Sequence, residues 1–316
     1  MDGFSDVKSF YVRFVKSLQP AWTVIRPVVA ADGVCRLQEL SDGADGSCSC
    51  LPLIPLKKIL LPPKELLWKQ SEDGSPVSFS PANIALIDVA PCDLYALDYL
   101  DQAYAEDSFY QQRRRNLLVI GRACSPSSSC QCPPHAAPPP FDLFFADNDI
   151  WSGSEQGEKV LQDFSGAVTS KVLPETYWAG QKTLPTKIAA RFLQSVDNPV
   201  WAEVASRCLS CGACSAVCPT CACYDIVDEV ALSGVIRRQR VWDNCFFRDH
   251  GLVAGGHNFR PDRTARLRFR FEHKYLGFGE QRGIISCVGC GRCQQICPVG
   301  IDLAQILDQL PLEEEE

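Results

Sequence analysis

A chain of 316 residues that is 46% hydrophobic and 22% charged has room for two domains and a sizeable core, with the composition of an ordinary globular protein. Its formal net charge of −7 argues against nucleic acid as the main partner, and Asp2, Asp6, Lys8 and Arg13 interrupt what would have to be the apolar core of a leader. The most apolar stretch, LPLIPLKKILLPP at 51–63, is broken by prolines and by Lys57 and Lys58, so no membrane insertion is expected and the 18 cysteines are assigned to a reducing cytoplasm, as thiols kept for metal.

The first element is a helix, with Val7, Tyr11, Phe14, Val15 and Leu18 at helical spacing before Pro20. TVIRPVVA and VCRLQEL read as a strand pair around the Asp32–Gly33 turn, and SDGADGSCSC as a loop. From Ala82 to Gly121 the pattern becomes strand, helix, helix, strand: NIALIDV, a helix capped by Asp93, the helix DSFYQQRRR, then NLLVIG. This alternation predicts a parallel α/β core with Cys92 at the carboxyl end of a strand, where sites usually open. SPSSSCQCPPHAAPPP is a loop or arm, and FDLFFADND with IWSG forms a hairpin. IAARFLQSV and PVWAEVASRC are helical, as is IDLAQILDQL, and the EEEE tail is solvated. The expected fold class is α+β. An N-terminal α/β domain covers 1–184, a mainly helical, ferredoxin-like dicluster domain covers 185–310, and an acidic tail covers 311–316.

Two copies of one cysteine run carry the chemistry. CLSCGACSAVCP places thiols at Cys208, Cys211, Cys214 and Cys218, and CVGCGRCQQICP places them at Cys287, Cys290, Cys293 and Cys297. Both keep Cys-x-x-Cys-x-x-Cys-x-x-x-Cys-Pro, the ligand run of bacterial two-cluster ferredoxins, in which the fourth cysteine serves the other cluster. A structural zinc site usually uses separated Cys-x-x-Cys pairs and is poorly served by this spacing. The expectation is two 4Fe-4S clusters, one on Cys208, Cys211, Cys214 and Cys297, the other on Cys287, Cys290, Cys293 and Cys218.

Cys92, Cys124, Cys130 and Cys132 form a further set. If their two strands are neighbours and the loop folds over the same edge, four thiolates converge for a third 4Fe-4S cluster; otherwise they are buried thiols and an exposed Cys-x-Cys, or a zinc site. Cys221, Cys223 and Cys245 read as packing thiols or neighbours of a cluster, and Cys35, Cys48 and Cys50 show no ligand pattern. The segment between the runs is basic, with Arg266, Arg268, Arg270 and Lys274 among its cations. These would favour reduction of an anionic cluster, steer an acidic partner, or simply be solvated. In RLRFRF the arginines alternate with apolar residues, as on a half-buried strand. No Gly-rich dinucleotide fingerprint follows a strand, so flavin and nicotinamide are expected on partners, and no Ser/His/Asp constellation stands out.

Together APCDL at 90–94, DSFY…RRR at 107–115, Cys124, the Cys-x-Cys at 130–132, CPTCACYDIVDE at 218–229, WDNC at 242–245, AGGHNFRP at 254–261 and the second cysteine run resemble one family. It is that of the iron–sulfur beta subunits of soluble nickel–iron hydrogenases (sulfhydrogenases) and the corresponding iron–sulfur component of anaerobic sulfite reductase. Gln131 stands where that family has an aromatic residue, and Ala90 where it has Arg. The resemblance implies an electron wire without a substrate pocket. It would join a flavin or nicotinamide-binding subunit, or ferredoxin, to a hydrogenase or reductase module. The rival expectation is a reductase subunit with its own catalytic cluster or thiol site in the N-terminal domain.

Overall fold

The computed structural model describes residues 7–40, 50–70, 80–133, 135, 137–146, 149–165, 172–178, 187–277 and 283–311. Most of the SDGADGSCSC loop and the EEEE tail lie outside them. The fold is α+β. It forms two compact units, one of Met1–Leu56, Phe79–Ser127 and Pro134–Gly180, the other of Lys57–Ser78, Ser128–Pro133 and Gln181–Glu316.

The first unit is built on a six-stranded sheet. Its strands are β1 (Thr23–Val29), β2 (Cys35–Glu39), β4 (Ile84–Val89), β5 (Leu117–Arg122), β6 (Leu143–Ala146) and β7 (Asp149–Ser152), in the order β2-β1-β4-β5-β6-β7. The four central strands run parallel, and each edge strand is the antiparallel arm of a hairpin, as the two turn signals predict. Helix α1 (Val7–Leu18) lays Tyr11, Phe14, Val15 and Leu18 on Val24, Ala85, Ile87, Leu118 and Ile120, forming the apolar core on that face. Asp88 adopts a left-handed φ of 58°, where the β4–β5 register shifts. Its buried carboxylate accepts from the Tyr11 hydroxyl at 2.6 Å and from Arg122 at 3.3 Å.

The fold departs from expectation at two points. Helix α3 (Pro91–Ala103) starts earlier than expected: Ala90 is its cap, Pro91 takes the first helical position, and Asp93 is buried in the first turn. Proline suits that place because its fixed φ is already helical and the missing N–H had no partner to lose. Cys35 and Cys50 are joined in a disulfide, so these two sulfurs are not thiols kept for metal. Helix α4 (Ser108–Arg115) follows α3, with the Asp107 carboxylate accepting from the Tyr110 N–H at 2.8 Å.

The second unit begins with α2 (Lys57–Leu60) and β3 (Lys64–Lys69). Its other elements are α6 (Ile188–Gln194), α7 (Val200–Arg207), α8 (Ala213–Ala216), β8 (Tyr224–Val230), β9 (Ile236–Trp242), α9 (Arg263–Tyr275), α10 (Arg292–Gln295) and α11 (Leu303–Asp308), while α5 (Glu155–Ser165) belongs to the first unit. Strands β3, β9 and β8 form an antiparallel sheet that accompanies the helices. Phe192, Trp201, Leu267, Phe271, Tyr275 and Ile306 make its apolar core. RLRFRF lies within α9 and is not a strand. Asp262 caps that helix by accepting from the Ala265 N–H at 2.7 Å. A six-residue alternation yields to a pattern four residues long: Arg266, Arg270 and Lys274 share one face, while Leu267, Phe271 and Tyr275 line the adjoining one.

Candidate metal centre

Each cysteine run folds in the same way, and backbone sterics dictate how. Gly212 and Gly291 sit at φ 74° and 72°, conformations that side chains with a Cβ resist, and each precedes a one-turn helix, α8 or α10. Two residues earlier, Ser210 and Gly289 also have positive φ, at 52° and 64°. Each run thus carries two left-handed residues among its first three cysteines. Further backbone amides point at sulfur: Ser210 N–H donates to Cys208 Sγ at 3.4 Å and Ile301 N–H to Cys297 Sγ at 3.3 Å.

Two cavities open onto these sulfurs. One, of 430 Å³, is lined by Cys287, Cys290 and Cys293 of the second run and by Cys218 of the first. The other is lined by Cys208, Cys211 and Cys214 of the first run and by Cys297 of the second. Cys293 and Arg270 line both cavities, so they share a wall.

Buried cations stand in and around that wall. Arg270, only 2% exposed, donates to the Cys214 carbonyl at 3.2 Å and to Ser215 Oγ at 3.4 Å. Lys274, equally buried, donates to Thr220 Oγ1 at 2.7 Å and to Ser286 Oγ at 3.3 Å. Lys57 donates to the carbonyls of Ser215 at 3.0 Å and Cys221 at 2.7 Å. Among the described residues none of these three ammonium or guanidinium groups is ion-paired to a carboxylate. Burial alone would lower the pKa of Arg270, yet the sulfurs of Cys214, Cys221, Cys293 and Cys218 hold it well above its ordinary value. Burial likewise opposes the charge of Lys274, and Cys218 and Cys221 more than restore it. Buried cations without carboxylate partners need a compensating anion, and a cubane held by four thiolates is one. The residues present therefore fit that group.

The sequence did not point to Lys57, to Tyr275, whose hydroxyl bonds Cys287, or to Asn244, whose side-chain amide donates to the Gly212 carbonyl at 2.8 Å. A lysine in a proline-broken apolar run gives no hint that it reaches a site encoded far along the chain.

The further set of four cysteines is divided between the units. Cys92 is buried in the first turn of α3, and Cys124 is exposed two residues beyond β5. Strands β4 and β5, which lead to them, are parallel neighbours. Cys130 and Cys132 belong to the second unit, where the Gln131 N–H donates to the Gly289 carbonyl at 2.7 Å and so docks their loop on the second run.

Residues 207–301 match the 4Fe-4S dicluster domain family, so the chain is an iron–sulfur protein of the class that carries two 4Fe-4S clusters. Over 279 residues it is 33% identical to sulfhydrogenase 2 subunit beta of Pyrococcus furiosus, an alignment covering 82% of this chain and 83% of that protein. The chain belongs to the sulfhydrogenase beta-subunit family, whose members are iron–sulfur proteins of electron transfer. No solved structure matches it.

Proposed function

We propose that this chain is a cytoplasmic electron relay within an anaerobic oxidoreductase complex. It would link a flavin- or nicotinamide-binding subunit, or ferredoxin, to a hydrogenase or reductase subunit. The observation that carries this reading is the pair of sulfur-lined cavities sharing one wall.

In this reading Cys208, Cys211, Cys214 and Cys297 hold one cluster, and Cys287, Cys290, Cys293 and Cys218 hold the other. A 4Fe-4S cluster supplies reversible one-electron transfer. The chain's own residues set the conditions. Arg270 offsets negative charge on both sides of the shared wall, and Lys274 does so on the side of the second run's cavity. Leu267, Phe271 and Phe246 keep water from the first run's cavity. The amides of Ser210 and Ile301 and the hydroxyl of Tyr275 donate to sulfur and favour the more anionic state.

Strictly anaerobic purification followed by iron counting tests the reading. About 8 irons per chain are expected, at four per cubane, and about 12 would add the Cys92, Cys124, Cys130 and Cys132 set. Cys297→Ser should alter the paramagnetic signal of the cluster on the first run, although it lies in the second. A colourless protein with stoichiometric zinc would overturn the relay. Co-purification under the same conditions would identify the partner subunits.

A further inference from the structure

Beside the first run lies a second sulfur site that neither cavity uses. The β8–β9 hairpin closes with Tyr224 opposite Trp242, and the Asp243 N–H donates to the Cys223 carbonyl at 3.0 Å. This brings the residue before β8 against the turn that follows β9. Cys223 and Cys245 are hydrogen-bonded to each other, and Cys245 is only 3% exposed. Cys223 is also hydrogen-bonded to His250, whose Nδ1 is held by the Asp243 carboxylate. Asn244, between Asp243 and Cys245, ties the turn to Gly212 in the first run. A cavity of 220 Å³ joins the two features, with Cys221, Cys223 and Asp243 facing it together with Cys211 and Gly212.

We propose that Cys223 and Cys245 are a redox-active dithiol that exchanges an electron pair with the relay. The inference rests on the relay reading above. On oxidation the Cys245 S–H bond and the N–H bond of the protonated His250 beside the Cys223 thiolate are broken, and one S–S bond forms. Two electrons leave, one to each of two one-electron-accepting iron–sulfur clusters, and two protons leave by way of His250 to solvent. Reduction reverses each step.

Three features favour this assignment over passive packing. The thiols touch, which a disulfide needs and which isolated packing cysteines lack. An imidazole oriented by a carboxylate stands at one of them, the arrangement that activates a nucleophilic sulfur. The Cys223 thiol is pulled down to about 4, first by its bond to Cys245 and then by His250, while the Cys245 thiol is raised by the same bond and by burial. One thiolate and one thiol side by side are the reactants of disulfide chemistry. Such a pair would let a wire that moves single electrons serve a partner that takes two.

The test uses the full, iron-loaded chain, poised anaerobically across a series of potentials, quenched in acid, alkylated with iodoacetamide and mapped by mass spectrometry. Two fewer alkylations at the oxidising end are expected, with a Cys223–Cys245 linked peptide and a two-electron transition. Cys245→Ser should abolish that transition while leaving the iron count and both cluster signals unchanged. Cys223→Ser provides the same check should the buried position fail to fold. His250→Ala should slow disulfide formation at neutral pH by about tenfold, because the Cys223 thiolate loses the protonated imidazole that stabilises it. Full alkylation of both cysteines at every potential, with clusters loaded, would overturn the proposal, as would protection of both by extra iron. A chain that binds no iron but still cycles the pair would overturn the relay and leave the dithiol standing.

Discussion

Among the described residues Arg270 is the one charged side chain that lines both sulfur-lined cavities, and replacing it has a definite sign. A nearby cation stabilises the reduced, more negative state of a cluster, so Arg270→Gln should make both clusters harder to reduce. A tenfold fall in the reduced-to-oxidised ratio at fixed potential corresponds to about 59 mV for one electron. Redox titration followed by paramagnetic resonance would read both clusters at once. An unchanged pair of midpoints would remove Arg270 from its assigned role. His250 offers a second check at this scale. Its pKa is raised to about 9, first by the bond to Cys223 and then by Asp243, while burial opposes the shift. The folded state thus favours its protonated form. That contribution is fully present below about 6.5, the ordinary histidine value, and is lost as pH rises through about 9. Hydrogen exchange around residues 243–250, corrected for its intrinsic hydroxide-catalysed rise, should accelerate across that window, and the excess should vanish in His250→Gln. Of these residues only the cysteines were legible as a site from sequence. Ligand spacing is written locally, whereas the burial of Arg270 among ten or so candidate cations depends on which helix face meets the core.

Helix α9 marks the limit of local pattern reading among the elements. Alternation across RLRFRF fitted a strand, and only the cap at Asp262 and the four-residue recurrence of Arg266, Arg270 and Lys274 reveal a helix. The parallel pairing of β4 with β5 was readable because two helices lie between them, whereas the places of β1 and β6 beside that pair left no such local mark. The pairing of β3 with β9 was not readable either, since it joins segments distant in sequence and leaves no local mark. A buried ion pair, Glu65 in β3 with Arg240 in β9, accompanies that pairing. Glu65→Ala leaves the guanidinium buried without its carboxylate and should cost about 3–5 kcal/mol in chemical denaturation of the iron-loaded protein. Gly289 is a second test. A Cβ there would sit 2.1 Å from the Gln131 carbonyl oxygen, on a residue at φ 64°. Gly289→Ala should cost more than about 1 kcal/mol and should speed alkylation of Cys130 and Cys132 as their loop is pushed from the second run.

For the whole molecule, the two units differ in what holds them. The first has a continuous apolar core under a paired sheet. In the second, Phe192, Trp201 and Phe271 supply apolar packing, but buried cations and thiols fill the space beside it. Metal binding to such a site is part of the folding energy. Chelation of iron under reducing conditions should therefore lower one melting transition in calorimetry and leave another in place. A single unaltered transition would contradict that division. The disulfide between Cys35 and Cys50 belongs to the first unit, which sets those sulfurs apart from the metal-facing ones and departs from the expectation of reduced thiols.

Cys218 faces the cavity of the second run, and Cys297 that of the first. Each half thus lends a tooth to the other's jaw. Under the proposed ligation, a peroxide that burns Cys297 would injure the first run's centre and spare the three sulfurs of the run it struck. The wound would then show in the half that was never touched.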